Sequence, residues 1–118
     1  MAVVRGSPLR DEIWLVSLDP TQGSEMRKTR PCLVISPDEM NRHLRIVLIA
    51  PMTTAARPYP TRVSPTLRGK HGQVALDQIR AVDRQRLVRR IGKASSATAH
   101  AVSAVLIEMF ARATLTGP

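Results

Sequence analysis

Short apolar segments separated by turn residues dominate the chain as far as residue 93. The segment 31–35 is apolar at every position, which is typical of a strand that is buried on both faces. Most of the other segments are rich in Val, Ile and Leu and are bounded by Pro, Gly or Asp, so they favour strands as well. The predicted strands cover residues 12–18, 31–35, 45–50, 61–65, 73–77, 78–82 and 87–92.

Two helices are predicted beside these strands. Ser36, followed by Pro37 and two acidic residues, indicates an N-cap with proline at the first position of a short helix that starts near Met40. Pro51 closes the strand that follows this helix. The second helix covers residues 97–115, which contain no Gly or Pro. Its apolar positions recur three or four residues apart and share one face: Val102, Val105, Met109 and Phe110.

This order of elements predicts an α+β fold that is mainly β. We expect a small, curled antiparallel sheet or barrel with a short helix after the second strand and a C-terminal helix. No repeat or linker divides the chain, so we expect one domain over residues 1–118. Within it, the N-terminal tail would cover residues 1–10, the barrel residues 11–94 and the C-terminal helix residues 95–116.

Composition excludes several classes of protein. A chain of 118 residues with 43 % hydrophobic residues can fill one modest core, and low-complexity disorder is excluded. No apolar run reaches the length of about 18 residues that a membrane span needs, and no long apolar stretch near the N-terminus suggests a secretory signal. We therefore expect a cytoplasmic protein without a membrane partner.

Charge is concentrated in one part of the chain. The formal net charge is +9, and residues 57–93 contain ten basic side chains against two acidic ones. Most of the basic residues are Arg, whose planar guanidinium matches phosphate geometry. This block indicates a polyanionic partner, nucleic acid in particular, with a solvated solubilising face as the alternative.

Several common site patterns are absent from the sequence. Cys32 is the single cysteine, and neither CxxC nor HExxH occurs, so we expect no metal site and no cofactor. GxGxxG, a P-loop and GxSxG are missing too. Of the three histidines, His71 in the basic turn at residues 69–72 is the best placed for proton transfer.

Two stretches together carry a more specific pattern. The first reads D-P-x-x-G-x-E from Asp19 to Glu25 and continues through Arg30-Pro31 into the V-I-S-P string at residues 34–37. The second reads P-M-T-T at residues 51–54, followed by Tyr-Pro and then A-L-D-Q-I-R at residues 75–80. Over residues 11–93, this pattern closely resembles the MazF/PemK (Kid) family of toxin endoribonucleases from bacterial toxin–antitoxin systems.

The resemblance implies a compact SH3-like barrel of the PemK and CcdB type, assembled as a homodimer. It also implies metal-independent, sequence-specific cleavage of single-stranded RNA. A cognate antitoxin, with an acidic and initially disordered segment, is the implied protein partner.

By their positions in the family pattern, Arg30 and Thr53 are the implied catalytic residues, and Glu25 is an important acid in part of the family. Asp77 and Gln78 are the implied residues of the RNA groove. The chain departs from the PemK branch twice, because Ala75 replaces a basic residue and Ser24 replaces a histidine. Mechanisms that use those two side chains are therefore in doubt here.

The chemistry of RNA cleavage fits the same side chains. If the 2′-hydroxyl attacks phosphorus, the site must accept its proton, offset phosphorane charge and protonate the 5′-oxygen. Arg30 can grip two phosphate oxygens, Thr53 can donate a hydrogen bond and Glu25 can act as base. Without the family pattern, these residues would be interpreted as a surface cation, a turn residue and a loop acid.

Further RNA contacts are expected around the Arg57–Pro60 loop. Tyr59 either stacks on a base or folds onto the sheet, while Arg57 and Arg80 are candidate RNA-binding cations. Two alternative functions stay open: a CcdB-like inhibitor that binds a topoisomerase, and an RNA-binding module without catalysis.

Overall fold

A computed structural model describes residues 6–18, 28–65 and 72–112. Within these residues, seven antiparallel strands form one sheet, joined by two α-helices and two single 3-10 turns. The 3-10 turns lie at Leu76–Gln78 and Arg84–Arg86. The strands are β1 (Glu12–Ser17), β2 (Thr29–Val34), β3 (Ile46–Thr53), β4 (Arg62–Val63), β5 (Gln73–Ala75), β6 (Arg80–Asp83) and β7 (Leu87–Lys93). The helices are α1 (Asp38–His43) and α2 (Ser96–Phe110).

The eight-residue strand β3 organises the sheet. One edge of β3 pairs with β2, and the other edge pairs with β6 near its start and with β5 near its end. The path then runs β4-β5-β3-β2-β1-β7, and β4 and β7 at its two ends are not paired with each other in the described part of the chain. The predicted curled antiparallel sheet is therefore confirmed, and within the described residues it is not closed into a barrel.

Two hydrophobic cores lie on opposite faces of the sheet. Alternation along β2 sends Leu33 into one core and its neighbours Cys32 and Val34 into the other. The first core is covered by α2, which buries Val102 against it. The second core is enclosed by the curl of the sheet itself. Its buried members are Val16, Cys32, Val34, Val47, Ile49 and Val82.

Helix α2 starts as its sequence predicts and ends earlier. The side chain of Ser95 caps it by accepting a hydrogen bond from the Thr98 N–H at 3.2 Å. The helix stops at Phe110 and Ala111 is extended, so the predicted ends at residues 115 and 116 are wrong; residues 113–118 lie outside the described part. Phe110 is 72 % exposed, because eight residues of helix rotate it about 80° from Val102.

Helix α1 begins one residue later than a Ser36 cap would require. Pro37 occupies the N-cap position and the helix starts at Asp38, two residues before the predicted start near Met40. The buried hydroxyl of Ser36 accepts a hydrogen bond from the Leu48 N–H at 3.1 Å and donates to the Asn41 side chain. Ser36 therefore ties α1 to β3 instead of capping the helix.

Pro51 does not end β3, contrary to the prediction. It pairs with Cys32 of β2, and β3 continues to Thr53. On the opposite edge, β6 pairs with residues 46–49 and β5 with residues 52–53, so Pro51 lies where neither strand is paired. A strand tolerates proline at such a break, since no ladder bond is required there.

The same break explains a second difference from the sequence prediction. Residues 73–77 and 78–82 were each expected to form a strand, whereas β5 and β6 are separated by the 3-10 turn Leu76–Gln78. The register against β3 shifts by three residues between the two strands. The turn thus inserts three residues into the chain between β5 and β6. These residues do not pair with β3, and they interrupt the ladder on that edge opposite Pro51.

Other predicted elements are confirmed with small shifts. Strand β1 ends one residue early, β2 starts at Thr29, β4 is short and β7 extends to Lys93. Asp83 caps the turn before β7, as its sequence indicates, by accepting a hydrogen bond from the Gln85 N–H at 2.9 Å. The described end of the predicted N-terminal tail is anchored, because Pro8 is buried and the Leu9 N–H donates to Glu12. None of the helices described is long and apolar enough to span a bilayer.

Candidate active site

A groove opens where β2 loses one of its two neighbours. Residues 32 and 33 of β2 pair with both β1 and β3, while residues 29–31 pair with β1 alone among the described strands. The groove has a volume of about 910 Å³ and is lined by apolar, polar and cationic residues. The apolar lining includes Ile13, Leu15, Met52 and Ile91, and the polar and cationic lining includes Thr29, Arg30, Thr53, Thr54, Arg89 and Lys93.

Arg30 and Arg80 both act electrostatically on the buried thiol of Cys32. Arg30 lies in the part of β2 that pairs with β1 alone, and Arg80 starts β6 opposite Ile49. Burial raises the pKa of the Cys32 thiol to about 12, and the positive charges of Arg30 and Arg80 act in the opposite direction. Both arginines are exposed, and a guanidinium group can donate hydrogen bonds to phosphate oxygens.

Thr53 lies across the groove from Arg30. Cys32 is opposite Pro51, and continuing that register by two residues sets Arg30 opposite Thr53. The Thr53 hydroxyl oxygen accepts a hydrogen bond from the Ala55 N–H at 3.1 Å. This bond fixes the oxygen and leaves the hydroxyl hydrogen available as a donor towards the groove.

A second polar cluster centres on Arg62, whose side chain is 5 % exposed. Its Nε donates to Asp77 Oδ1 at 2.7 Å and its Nη2 to Oδ2 at 3.2 Å, while the Thr61 hydroxyl donates to Oδ1 at 2.9 Å. The hydrogen bond from Arg62 lowers the pKa of the Asp77 carboxyl, and the same bond raises the pKa of Arg62. Asp77 is therefore held as a carboxylate with its charge paired.

The predicted RNA-binding residues surround this cluster. Tyr59 is 47 % exposed and its ring centroid lies 5.2 Å from the Arg62 guanidinium carbon, so the ring is neither buried nor detached. The Arg57 side chain is exposed, and its backbone N–H donates to the Gln73 side chain at 3.0 Å. Gln78 is exposed on the 3-10 turn that also holds Asp77.

Some candidates cannot be placed and some site residues were missed. Glu25 and His71 lie outside the described residues. The structural role of Arg62 was missed because its partner Asp77 is fifteen residues away. Arg89 and Lys93, predicted only as part of the basic block, line the groove together with Ile91.

Residues 6–18, 28–65 and 72–112 hold no group of three or more His, Cys, Asp or Glu residues that could bind a metal ion. The groove instead combines exposed guanidinium groups with a fixed hydroxyl donor, which is the equipment of a phosphodiester-binding site.

Known proteins share this architecture and much of the sequence. Residues 9–110 match the family described as the PemK-like, MazF-like toxin of type II toxin–antitoxin systems. Endoribonuclease MazF9 of Mycobacterium tuberculosis (strain ATCC 25618 / H37Rv) is 37 % identical over an alignment of 98 residues that covers 75 % of this chain and 83 % of MazF9. Endoribonuclease PemK of Escherichia coli is 51 % identical over 45 residues, so the match spans 38 % of this chain and about a third (34 %) of PemK.

A solved structure extends the likeness to three dimensions. It is an endoribonuclease in complex with its cognate antitoxin from Mycobacterial species, with a TM-score of 0.74 and 25 % identity over 86 % of this chain and 92 % of that one. The chain belongs to the PemK-like, MazF-like toxin family of type II toxin–antitoxin systems. The family recognised from the Arg30-Pro31 and P-M-T-T motifs is thereby confirmed. Relatives named endoribonucleases favour catalysis over the two alternative functions.

Proposed function

We propose that this chain is the endoribonuclease toxin of a type II toxin–antitoxin system. It cleaves single-stranded messenger RNA at a short sequence, by attack of a 2′-hydroxyl on the adjacent phosphorus and without a metal ion. The observation that carries the proposal is that Arg30 and Thr53 line the same groove.

Arg30 and Arg80 supply charge to the reacting phosphate. As the 2′-oxygen bonds to phosphorus, negative charge grows on the non-bridging oxygens, and a fixed guanidinium stabilises that charge most when it has formed. An arginine with a pKa above about 12 is a poor proton donor, so these residues act through charge and hydrogen bonds. We infer metal independence because the positive charge of these arginines can stabilise the negative charge on the phosphate in place of a metal cation.

Thr53 orients the phosphate and leaves proton transfer to other groups. Its hydroxyl hydrogen donates to a non-bridging oxygen, while the Ala55 N–H holds the hydroxyl oxygen in place. In the reaction, the 2′-hydroxyl loses its proton as the new P–O bond forms, and the departing 5′-oxygen gains a proton as its bond to phosphorus breaks. Glu25 is our candidate for the base, by its position in the family pattern.

Base selection takes place on the neighbouring surface. Tyr59 offers a half-exposed ring on which a base can stack, worth ~1–3 kcal/mol in single-strand binders. Gln78 offers amide donors and acceptors for a base edge, and Arg57 and Arg80 add contacts to the RNA backbone. Asp77 stays a predicted residue of the groove.

Partners follow from the same charge distribution. A solved relative is in complex with its cognate antitoxin, and we propose an antitoxin for this chain whose acidic, initially disordered segment folds onto the cationic groove. We also propose a homodimer, as the family resemblance implies, and action in the cytoplasm, where messenger RNA is found.

Fragment chemistry tests this function. Purified protein is incubated with end-labelled single-stranded RNA in the presence of a chelator, and the fragments are analysed by mass spectrometry. We expect cleavage that yields a 2′,3′-cyclic phosphate and a free 5′-hydroxyl. Fragments with a 5′-phosphate would require water or metal hydroxide as the nucleophile and would contradict the mechanism. Intact RNA at every protein concentration would contradict the function.

A further inference from the structure

Arg62 is buried, and burial of a cation must be compensated. Its side chain is 5 % exposed, and an unpaired guanidinium in such a place would be strongly unfavourable. The two hydrogen bonds to Asp77 use both carboxylate oxygens. Nη1 makes two longer contacts, to the Ala55 carbonyl at 3.4 Å and to Gln73 Oε1 at 3.5 Å. The guanidinium is thus satisfied entirely by this chain.

These contacts join segments that are distant in sequence. Ala55 follows the end of β3, Tyr59 lies in the loop before β4, Gln73 starts β5 and Asp77 is in the 3-10 turn. The same Gln73 oxygen accepts from the Arg57 N–H at 3.0 Å, which fastens the loop at a second point. One planar group therefore sets the distance between the loop at residues 54–61 and the turn Leu76–Gln78.

Asp77 has correspondingly little capacity left for RNA. Its Oδ1 already accepts from both Arg62 and Thr61, and its Oδ2 accepts from Arg62. The Arg62 charge also cancels the carboxylate charge that would repel a phosphate. Its neighbour Gln78 is exposed, and no hydrogen bond within the described residues occupies its side chain.

We propose that Arg62 is a positioning residue for base specificity, held by Asp77, which locks the loop carrying Tyr59 to the turn carrying Gln78. Asp77 acts in this pair through Arg62 and not by touching RNA. The proposal rests on the endoribonuclease function proposed above and names the part of the site that reads sequence. Arginine is required at position 62, because lysine has the charge without the planar fork that bonds both carboxylate oxygens.

A double-mutant cycle tests the pair, with Arg62→Gln, Asp77→Asn and the double variant, plus Arg62→Lys. The matched control is Arg84→Gln, because Arg84 also bridges separate segments, donating to the Asn41 carbonyl and to Ser7 at the other end of β6. Wild-type fragments of a mixed RNA pool define the preferred cleavage sequence. We then measure kcat and KM for that RNA and for single-base variants of it.

We expect kcat/KM on the preferred RNA to fall by about 10²-fold in each single variant, since small displacements of positioning groups have such effects. On RNAs that differ from the preferred one at a single base, the rate should fall by about tenfold or less. The ratio between the rates on the preferred RNA and on these other RNAs should therefore decrease. The double variant should have the same kcat/KM and the same base preference as each single variant. Arg62→Lys should regain thermal stability without regaining the preference for one RNA sequence. Arg84→Gln should keep the wild-type preference. If Arg62→Gln does not fold, Asp77→Asn carries the test, since it keeps the side-chain shape.

Three results would overturn the pairing. Additive losses in the double variant would mean that Asp77 contacts RNA itself, and an unchanged preference would mean that the pair does not set specificity. A uniform loss on all RNAs that Arg84→Gln reproduces would mean a purely structural role. Failure of the proposed function is seen separately, because the wild-type protein would then leave every RNA intact.

Discussion

The two ends of β3 differ in how their positive charge is paired. Beside its first residue, Arg42 pairs with Glu39 at 2.6 Å, and Arg45 lies 3.6 Å from Asp83. Beside its last residue, about 23 Å further along a strand of this length, Arg62 is paired with Asp77, while several other cations have no carboxylate partner. Within the described residues, no carboxylate lies within 4.0 Å of these cations: Arg30, Arg57, Arg80, Arg89 and Lys93.

The difference separates structural charge from charge that is kept for a ligand. At the α1 end, the hydrogen bond from Arg42 lowers the pKa of Glu39, so the acid is ionised and the local charge is balanced. At the groove end, uncompensated cations repel each other and add nothing to folding. Their cost in stability is recovered only when a polyanion binds. We therefore propose that the groove end of the sheet binds RNA.

The strongest test of this difference removes one cation from each end. Arg30→Ala should slow RNA cleavage by about 10²–10³-fold, as expected for the loss of one preorganised electrostatic contact. Arg45→Ala should leave the rate unchanged, because Arg45 is 76 % exposed and far from the groove. Cleavage of labelled RNA gives both rates, and thermal unfolding should show changes within about 1 kcal/mol for each variant. Full activity in Arg30→Ala would remove the basis for the proposed site.

Thr53 offers a finer test at the same end. Thr53→Ala removes the hydroxyl donor, and a hydrogen bond to a charged phosphate of about 1.5–3 kcal/mol corresponds to a rate loss of about 10- to 100-fold. Thr53→Ser retains the hydroxyl and should recover most of the rate. Single-turnover rates at saturating protein isolate the chemical step. Equal losses in the two variants would show that the methyl group, not the hydroxyl, is what matters.

Salt dependence measures how many uncompensated cations contact phosphate. The affinity of an inactive Arg30→Ala protein for single-stranded RNA should fall by about 0.7 log units per log unit of salt for each phosphate contact. Adding Arg89→Ala or Lys93→Ala should reduce that slope by about one contact each. Adding Arg45→Ala should leave it unchanged. A flat salt response in the parent protein would contradict the groove as an RNA surface.

Acid unfolding compares two ion pairs: Arg62–Asp77, in which the Arg62 side chain is buried, and Arg42–Glu39 on the surface. The folded-state pKa of Asp77 is lowered, so its contribution to stability is present above its ordinary value of 3.8 and is lost as the pH falls below that value. Asp77→Asn should therefore lower the melting temperature by a few degrees at neutral pH and by progressively less below pH 3.8. Glu39→Gln should show the same sign with a smaller effect, since the Glu39 side chain is 74 % exposed. Melting curves that differ equally at all pH values would contradict the Asp77 assignment.

Local patterns were sufficient wherever neighbouring residues determine the structure. The strands predicted at residues 12–18 and 87–92 and the helix predicted from residue 97 are each encoded within a short segment, and the structure has β1, β7 and α2 there. Pro51 was misinterpreted as a strand end because its tolerance depends on a break between β5 and β6, which are distant in sequence. The curled antiparallel sheet was predicted correctly, whereas its closure depends on β4 and β7, which are distant in sequence.

In the candidate site, too, some residues were identified from sequence motifs and others only from the tertiary structure. The motifs identified Arg30 and Thr53, which the fold brings to one groove, because family patterns record residues that act together in space. Arg62 was missed, because a buried arginine and an exposed one have the same letter and only the tertiary structure supplies its partner. The sequence does not distinguish a charged side chain that is already paired within the protein, such as Asp77, from one that binds a ligand.

Pro31, which lines the groove, also bears on self-association. It lacks a backbone N–H, and among the described strands the first three residues of β2 have no partner on the side of β3. A strand segment with a complete set of donors at this position would invite a foreign strand and edge-to-edge aggregation. The missing donor interrupts such a template. A polymer that enters this groove is therefore held by side chains, which allows a nucleic acid and a peptide to compete for it without either becoming part of the sheet.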